Sequence, residues 1–321
     1  MTGTRRPAPA IRLAGAELGW VLVNSGILLV DKPQGITSHD VVSRVRKAAG
    51  TRKVGHAGTL DPMATGLLVT GINSSTRLLT FLVGLDKTYA ATIRLGVSTA
   101  SDDADGEVVT VTDASSVDEP SLLRGIEALT GDILQVPTTV SAIKVDGKRA
   151  YALAREGVEV ELTARPVTVT RFELLARRDV VVDGSAVVDL DVIVDCTSGT
   201  YVRALARDLG GGLGVGGHLT ALRRTRIGPF DVADAAELEG VDVAAHLLPP
   251  SGVARRLFDV FEMTAQQTID LGHGKKLPVV RSDDPGPIAA ITPDGRLAGL
   301  VSVTRGIVRP IVNFPTDEVS S

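Results

Sequence analysis

Lys53-Val-Gly-His-Ala-Gly-Thr-Leu-Asp-Pro-Met-Ala-Thr-Gly66 is the stretch from which the rest of the chain is read. Three glycines, a histidine and Asp61-Pro62 crowd a segment that runs into Leu67-Leu-Val-Thr-Gly-Ile72, an apolar run of strand length. Asp61 is therefore expected in a loop anchored by a strand. Glycine and proline around it suit a backbone that must approach another molecule closely. Taken alone, an Asp-Pro pair does no more than shape a turn. What flanks it makes a functional carboxylate the better reading.

Upstream, Gly26-Ile-Leu-Leu-Val-Asp-Lys-Pro-Gln-Gly35 reads as a strand followed by a turn. Thr37 or Ser38 is placed to cap a helix with Val41, Val42 and Val45 on its apolar side, ending near Gly50. Downstream, the pattern predicts a short helix over 75–82 and a strand over 88–95 that carries Tyr89. A loop follows Ser98, then a helix over 120–130. Two strands are expected at 167–175 and 186–196, with Asp183-Gly184 as a hairpin turn. Ser198-Gly-Thr-Tyr-Val-Arg203 leads into a helix reaching about Leu209. Gly212, Gly214 and Gly217 match G-x-G-x-x-G, but after a helix rather than a strand, so they do not form a nucleotide fingerprint. A break at 234–250, with Pro249-Pro250, reads as a linker to a small, mostly β module.

The chain has 321 residues, room for about two domains, and 44% hydrophobic residues. No apolar run approaches the roughly 18 residues of a membrane span. Arg5-Arg6 lacks the apolar stretch of an export signal, because Arg12 and Glu17 interrupt it. The single cysteine, Cys196, cannot form an internal disulfide and fits a reducing compartment. His39, His56, His218, His246 and His273 lie far apart, without metal-ligand spacing. Acids are plentiful enough for a glycosidase-like carboxylate pair, but nothing marks a second acid as Asp61 is marked.

The formal net charge of −4 argues mildly against nucleic acid. Its distribution weakens the objection. Asp102, Asp103, Asp105, Glu107, Asp113, Asp118 and Glu119 form an acidic stretch, read as the back of the molecule. Basic residues lead between 142 and 178, with Lys144, Lys148, Arg149 and Arg155 near the Asp146-Gly147 turn. Arg223, Arg224 and Arg226 form a second basic cluster. The three tyrosines, Tyr89, Tyr151 and Tyr201, offer faces on which bases stack, worth roughly 1–3 kcal/mol per base.

Gly55-His-Ala-Gly-Thr-Leu-Asp-Pro62 resembles the central motif of the TruB family of tRNA pseudouridine synthases. Gly26–Gly35 resembles that family's opening motif, and further matches run in order to about Phe230. The resemblance implies an α+β fold: a mixed-sheet catalytic domain over 26–239, with an RNA-gripping insert at about 136–165. A β-rich, PUA-like RNA-binding module over 250–316 and a flexible extension over 1–25 complete it. It implies Asp61 as the nucleophile, Arg203 as its ion-pair partner, and Tyr89 as the residue stacked on the target base and assisting proton movement. His56, Tyr201 and Leu222 would line the nucleotide pocket, and Lys144, Lys148 and Arg149 would grip RNA. The guanidinium is expected to hold the Asp61 carboxylate ionised against burial.

The implied reaction converts the T-arm uridine of elongator tRNAs, position 55, to pseudouridine in the cytoplasm. The protein would be a monomer, without cofactor, metal or membrane. Whether Asp61 attacks the ribose C1′ or the uracil C6 stays open. So do two other classes, a guide-RNA-dependent synthase and a non-catalytic RNA-binding or RNA-folding protein. One departure from the family pattern is local: Thr138, Thr139 and Val140 stand where many members have a second proline and an aromatic.

Overall fold

The computed structural model describes residues 24–138 and 162–314, and the backbone of two short strands between them. Strand β1 (Gly26–Lys32) leads through the Gly35 turn to α1 (Ser38–Ala49), then β2 (Val54–Ala57) and β3 (Thr65–Ile72). A 3₁₀ turn (Asn73–Leu78) and α2 (Leu79–Val83) precede β4 (Lys87–Leu95). A ribbon of β5 (Val97–Thr99) and β6 (Val108–Val111) is followed by α3 (Glu119–Ala128) and β7 (Gly131–Gln135). The pair β8 (Lys144–Val145) and β9 (Lys148–Arg149) forms a small hairpin. Then come β10 (Arg165–Val182), β11 (Ser185–Cys196), α4 (Val202–Gly212), β12 (Gly217–Ile227), β13 (Phe230–Asp231) and β14 (Ala236–Glu237).

The main sheet runs β14-β1-β3-β12-β4-β11-β10-β7, with β13 beside β12 and β2 beside β3. It is mixed: β1 with β14 and β3 with β12 are parallel, the other pairs antiparallel. Burial explains the two kinds of strand sequence. On β4, Tyr89, Ala91, Ile93 and Leu95 enter the core under α3 and α4 while alternate residues stay partly open. Strands β1 and β3 are apolar throughout because both their faces are covered. Leu28, Val30 and Leu68 pack towards α1; Ile27, Leu29, Leu67 and Val69 pack the other way.

Helix α1 begins with a capping box between Thr37 and Asp40 and ends on Gly50, whose φ of 62° closes it. The hairpin turn at Asp183-Gly184 has positive φ at both positions, as a two-residue turn of this kind requires. Its first strand runs seven residues beyond the expected Leu175. A register shift between Leu174 and Ala176 hides the alternation that would have revealed the extension.

Two expectations are corrected. The 234–250 stretch is no free linker: Ala236-Glu237 adds a strand to the main sheet, and Leu238 and Val243 are buried against α1. Helices α5 (Val243–His246) and α6 (Pro250–Leu257) continue the packing. The acidic stretch is not simply a solvated back, because Asp103 is buried and bridges to Leu219 of β12.

The C-terminal module contains β15 (Val260–Glu262), α7 (Ala265–Gly272), β16 (Leu277–Pro278), β17 (Asp284–Ile291), β18 (Leu297–Thr304) and β19 (Ile307–Asn313). Its sheet order is β15-β17-β18-β19-β16. Ala289, Ile291, Leu297, Leu300 and Phe314 share one core with Ile27, Leu29, Leu67 and Val69 of the main sheet. Among the described residues no helix is long and apolar enough to cross a membrane. The expected extension over 1–25 falls largely outside the described residues, as does most of the insert.

Gly66 sits where β3 meets β12, with φ of 99°, and a Cβ there would lie 2.2 Å from the Arg224 carbonyl oxygen. Gly66→Ala should therefore lower stability by at least the roughly 1–3 kcal/mol of such backbone strain. A urea denaturation midpoint equal to wild type would refute this account.

Candidate active site

The loop between β2 and β3 carries Asp61, and almost every part of it is tied down. Lys32 is fully buried at the end of β1, and its Nζ donates to the carbonyls of Pro33 (3.1 Å), Pro62 (3.2 Å) and Ala64 (2.6 Å). The Gly35 N–H donates to the same Pro62 carbonyl at 2.8 Å. Ser38 accepts from the Leu60 N–H (2.8 Å) and donates to the Leu60 carbonyl (3.0 Å). From the other side Arg224, 1% exposed, donates to Gly58 (3.0 Å) and Leu67 (2.8 Å) carbonyls. Leu60, Met63 and Ala64 plug the loop into the core. The opening motif and the central motif are thus two halves of one construction, the first holding the backbone of the second.

Burial without a carboxylate partner is costly for an ammonium. Lys32 shows it, with its pKa brought down to about 8 by burial, against the pull of nearby Asp61.

Asp61 faces a cleft of about 250 Å³ lined by Leu60, Lys87, Tyr89, Tyr201, Arg203, Leu222 and Arg224, among others. Arg203, in the first turn of α4 and 3% exposed, places Nε 3.0 Å from Asp61 Oδ2. Its Nη1 lies 3.2 Å from Asp103 Oδ2 and donates to the Ser101 carbonyl at 2.8 Å. Asp103 in turn accepts from Ser101 Oγ and from the Asp105 N–H at 3.1 Å. One guanidinium is shared by two carboxylates.

Asp61 remains 36% exposed, yet burial is the largest influence on it and raises its pKa above the ordinary carboxylate value. Asp103 pushes the same way; Arg203 and Lys32 oppose. The guanidinium was expected to hold the group ionised. It does favour the charged form, but burial outweighs it. The result is a carboxylate that is poorly hydrated and more basic than usual, which suits a nucleophile.

Tyr89 lies on the buried face of β4 with 8% exposure. Burial raises its pKa, with Arg224 opposing, so the phenol keeps its proton near neutral pH. Leu222 of β12, beside Ala91 of β4, supplies an apolar wall. Tyr201 occupies the N-cap position of α4 at the cleft rim.

Of the expected residues, Asp61, Arg203, Tyr89, Tyr201 and Leu222 converge on one cleft. His56 does not line it; it sits half-buried on β2, its pKa lowered chiefly by burial and then by Arg224. Lys144, Lys148 and Arg149 are placed by backbone only, in the β8–β9 hairpin, and Arg155 lies outside the described residues. The second basic cluster is not a free phosphate-binding face. Arg223 pairs with Asp31 (2.6 Å), Arg224 points inward, and Arg226 donates to Thr88 Oγ1 (2.9 Å) and the Gly228 carbonyl (2.8 Å).

Asp103, Lys32 and Arg224 were missed as site residues. Two signals were available. Adjacent Arg223 and Arg224 on a strand must face opposite sides, so one of them points inward. Lys32 ends a run otherwise built for burial.

The fold of the described chain matches solved structures. A chain of an H/ACA ribonucleoprotein bound to a substrate RNA containing 2′-deoxyuridine superposes with a TM-score of 0.65 at 24% identity, over 92% of this chain and 87% of that one. A chain of a Cbf5–Nop10–Gar1 complex gives 0.66 at 24% identity, over 91% and 86%. These likenesses show a shared fold. Three family models then cover the sequence in succession. They are the TruB family pseudouridylate synthase N-terminal domain over 46–202, the tRNA pseudouridylate synthase B C-terminal domain over 203–259, and tRNA pseudouridine synthase II, C terminal, over 258–315. The chain belongs to the TruB family. Among its relatives, proteins named tRNA pseudouridine synthase B from Leifsonia xyli and Thermobifida fusca are 55% and 50% identical. They match 93% and 90% of this chain, and 99% and 98% of their own lengths.

The electrostatics make a signed prediction. Asp103→Asn removes a charge that raises the Asp61 pKa, so the Asp61 midpoint should move down; Arg203→Gln should move it up. Carboxyl ¹³C shifts across a pH titration read both, and a midpoint unmoved by Asp103→Asn would break the shared-guanidinium account.

Proposed function

We propose that this protein converts the uridine at position 55, in the T-arm of elongator tRNAs, to pseudouridine, acting as a cytoplasmic monomer without a guide RNA. One observation carries the reading: a partly buried carboxylate, Asp61, paired with a buried arginine on the floor of a cleft walled by Tyr89, Tyr201 and Leu222. A pure RNA-binding protein has no need of that pair. The relatives' name, tRNA pseudouridine synthase B, supports tRNA as substrate. The two ribonucleoprotein chains matched in fold belong to assemblies, but at 24% identity they speak for fold alone.

The target uridine first leaves its stack, at a cost of a few kcal/mol. Lys144, Lys148 and Arg149 offset it by holding flanking phosphates. The base then enters the cleft and Tyr89 stacks on it. Asp61 attacks the nucleotide, at ribose C1′ or uracil C6, and the C1′–N1 bond breaks. The uracil turns, a C1′–C5 bond forms, and the C–O bond to Asp61 breaks, returning the free carboxylate. The proton leaving C5 is matched by one gained at N1, so the change is a redox-neutral isomerisation. Leu222 and Tyr201 bound the space in which the ring turns.

Asp61→Asn keeps the shape and removes the charged nucleophile. The full-length variant is expected to bind tRNA within a few-fold of wild type and form no pseudouridine, mapped at single-nucleotide resolution. Turnover by a clean Asn variant would sink the reading. Activity of purified wild type on a bare T-arm hairpin separates it from a guide-dependent enzyme.

Tyr89→Phe keeps the ring and removes the hydroxyl, which is protonated in the resting site. Normal tRNA affinity with a single-turnover rate reduced about 10²-fold is expected if the hydroxyl moves a proton. Wild-type single-turnover kinetics in the Phe variant would confine Tyr89 to stacking.

A further inference from the structure

Helix α4 brings Tyr201 and Arg203 into the cleft from its first turn, yet its N-cap residue, Tyr201, makes no side-chain cap. The first N–H groups of a helix have no partner within it. Here an acceptor arrives from far along the chain. Gln135 Oε1 accepts from the Tyr201 N–H at 2.8 Å, and Gln135 Nε2 donates to the Tyr201 carbonyl at 3.1 Å. One carboxamide thus clasps both backbone groups of one residue, as a neighbouring strand would.

Gln135 is the last residue of β7 and only 2% exposed. The next residue is tied to the same helix one turn further on. Arg207 Nη2 donates to the Val136 carbonyl at 2.7 Å, while Nη1 pairs with Asp102 at 3.2 Å. Asp102 adjoins Asp103, the second partner of Arg203. Gln135 holds the residue that lines the cleft, two positions before the arginine that meets Asp61.

We infer that Gln135 is a positioning residue: its clasp on Tyr201 fixes where the first turn of α4 begins, and so sets the placement of Arg203 against Asp61. It touches neither substrate nor the reacting atoms. The kinetic consequence rests on the pseudouridine synthase reading; the electrostatic one does not. The charged groups facing Asp61 are Arg203 from α4, Asp103 from the loop after β5, and Lys32 from β1. Only Arg203 hangs directly on the clasp. Loosening the clasp therefore weakens the one guanidinium that favours the Asp61 carboxylate and leaves the other two groups in place.

The test uses the full chain with Gln135→Leu, and Ile133→Ala on the same strand as a control for general damage. Gln135→Met, unbranched like glutamine, replaces the Leu variant if that one does not fold. The Asp61 midpoint, read by carboxyl ¹³C titration without RNA, is expected to move up in the Gln135 variant and to stay in the control. Single-turnover pseudouridine formation should fall about 10–100-fold with tRNA affinity little changed, the scale on which a misplacement of about 1 Å slows a reaction. An unmoved midpoint in a folded variant, or an equal shift in Ile133→Ala, overturns the inference. A wild-type protein that makes no pseudouridine would remove the reaction reading instead, and the titration would still decide the role of Gln135.

Discussion

The Arg203 guanidinium is buried, and a buried charge obliges the fold to bring opposite charges to it. Two come, from separate loops that both precede it in the chain. Asp61 arrives on the loop between β2 and β3, Asp103 on the turn of the β5–β6 ribbon, and Arg203 on a helix whose Val202, Leu205, Ala206 and Leu209 are sunk in the core. Removing one member of such a buried set is far more damaging than never having built it, because a charge is left without compensation. The ribbon is also docked on β12, where the Leu219 N–H donates to the Asp102 carbonyl at 3.0 Å. Loop, ribbon, helix and sheet are thereby locked to a common point.

Two further buried cations lie under the same loop and do a different job. Lys32 and Arg224 spend their donors on backbone carbonyls, so they hold peptide planes and leave the Asp61 carboxylate to Arg203. The division does not follow residue type: Arg224 carries the same guanidinium as Arg203, yet its donors, like those of the Lys32 ammonium, go to carbonyls. The cost shows in Lys32, whose pKa near 8 reflects burial without a directly bonded carboxylate.

What was legible in the sequence was local. The glycine-rich loop, the strand after it, the helix from Thr37 and the Asp183-Gly184 turn each follow from residues close together in the chain. Asp61, Arg203, Tyr89, Tyr201 and Leu222 were picked out by motif resemblance, and the structure gathers them in one cleft. The misses share a cause. Asp103 and Arg203 are 100 positions apart, and within a run of acids nothing distinguishes a buried carboxylate from a solvated one. The Gln135 clasp spans 66 positions and uses a residue type that carries no chemistry by itself. Arg223, Arg224 and Arg226 looked like one basic patch, but strand alternation and close acids give them three different environments. Composition records charge, whereas function here depends on which charges are paired.

Strand β1 has a double allegiance. Its end carries Lys32 to the Asp61 loop, and its Ile27 and Leu29 side chains form one core with Ala289, Ile291 and Leu300 of the C-terminal sheet. The C-terminal module is therefore no detachable cassette. Transplanting a different one would have to reproduce the shape of that shared core, or disturb the strand on which the Asp61 loop hangs. Evolution of the two ends of this molecule is then yoked: a change in the module that alters how β1 is packed is read out at the Asp61 loop on its far side.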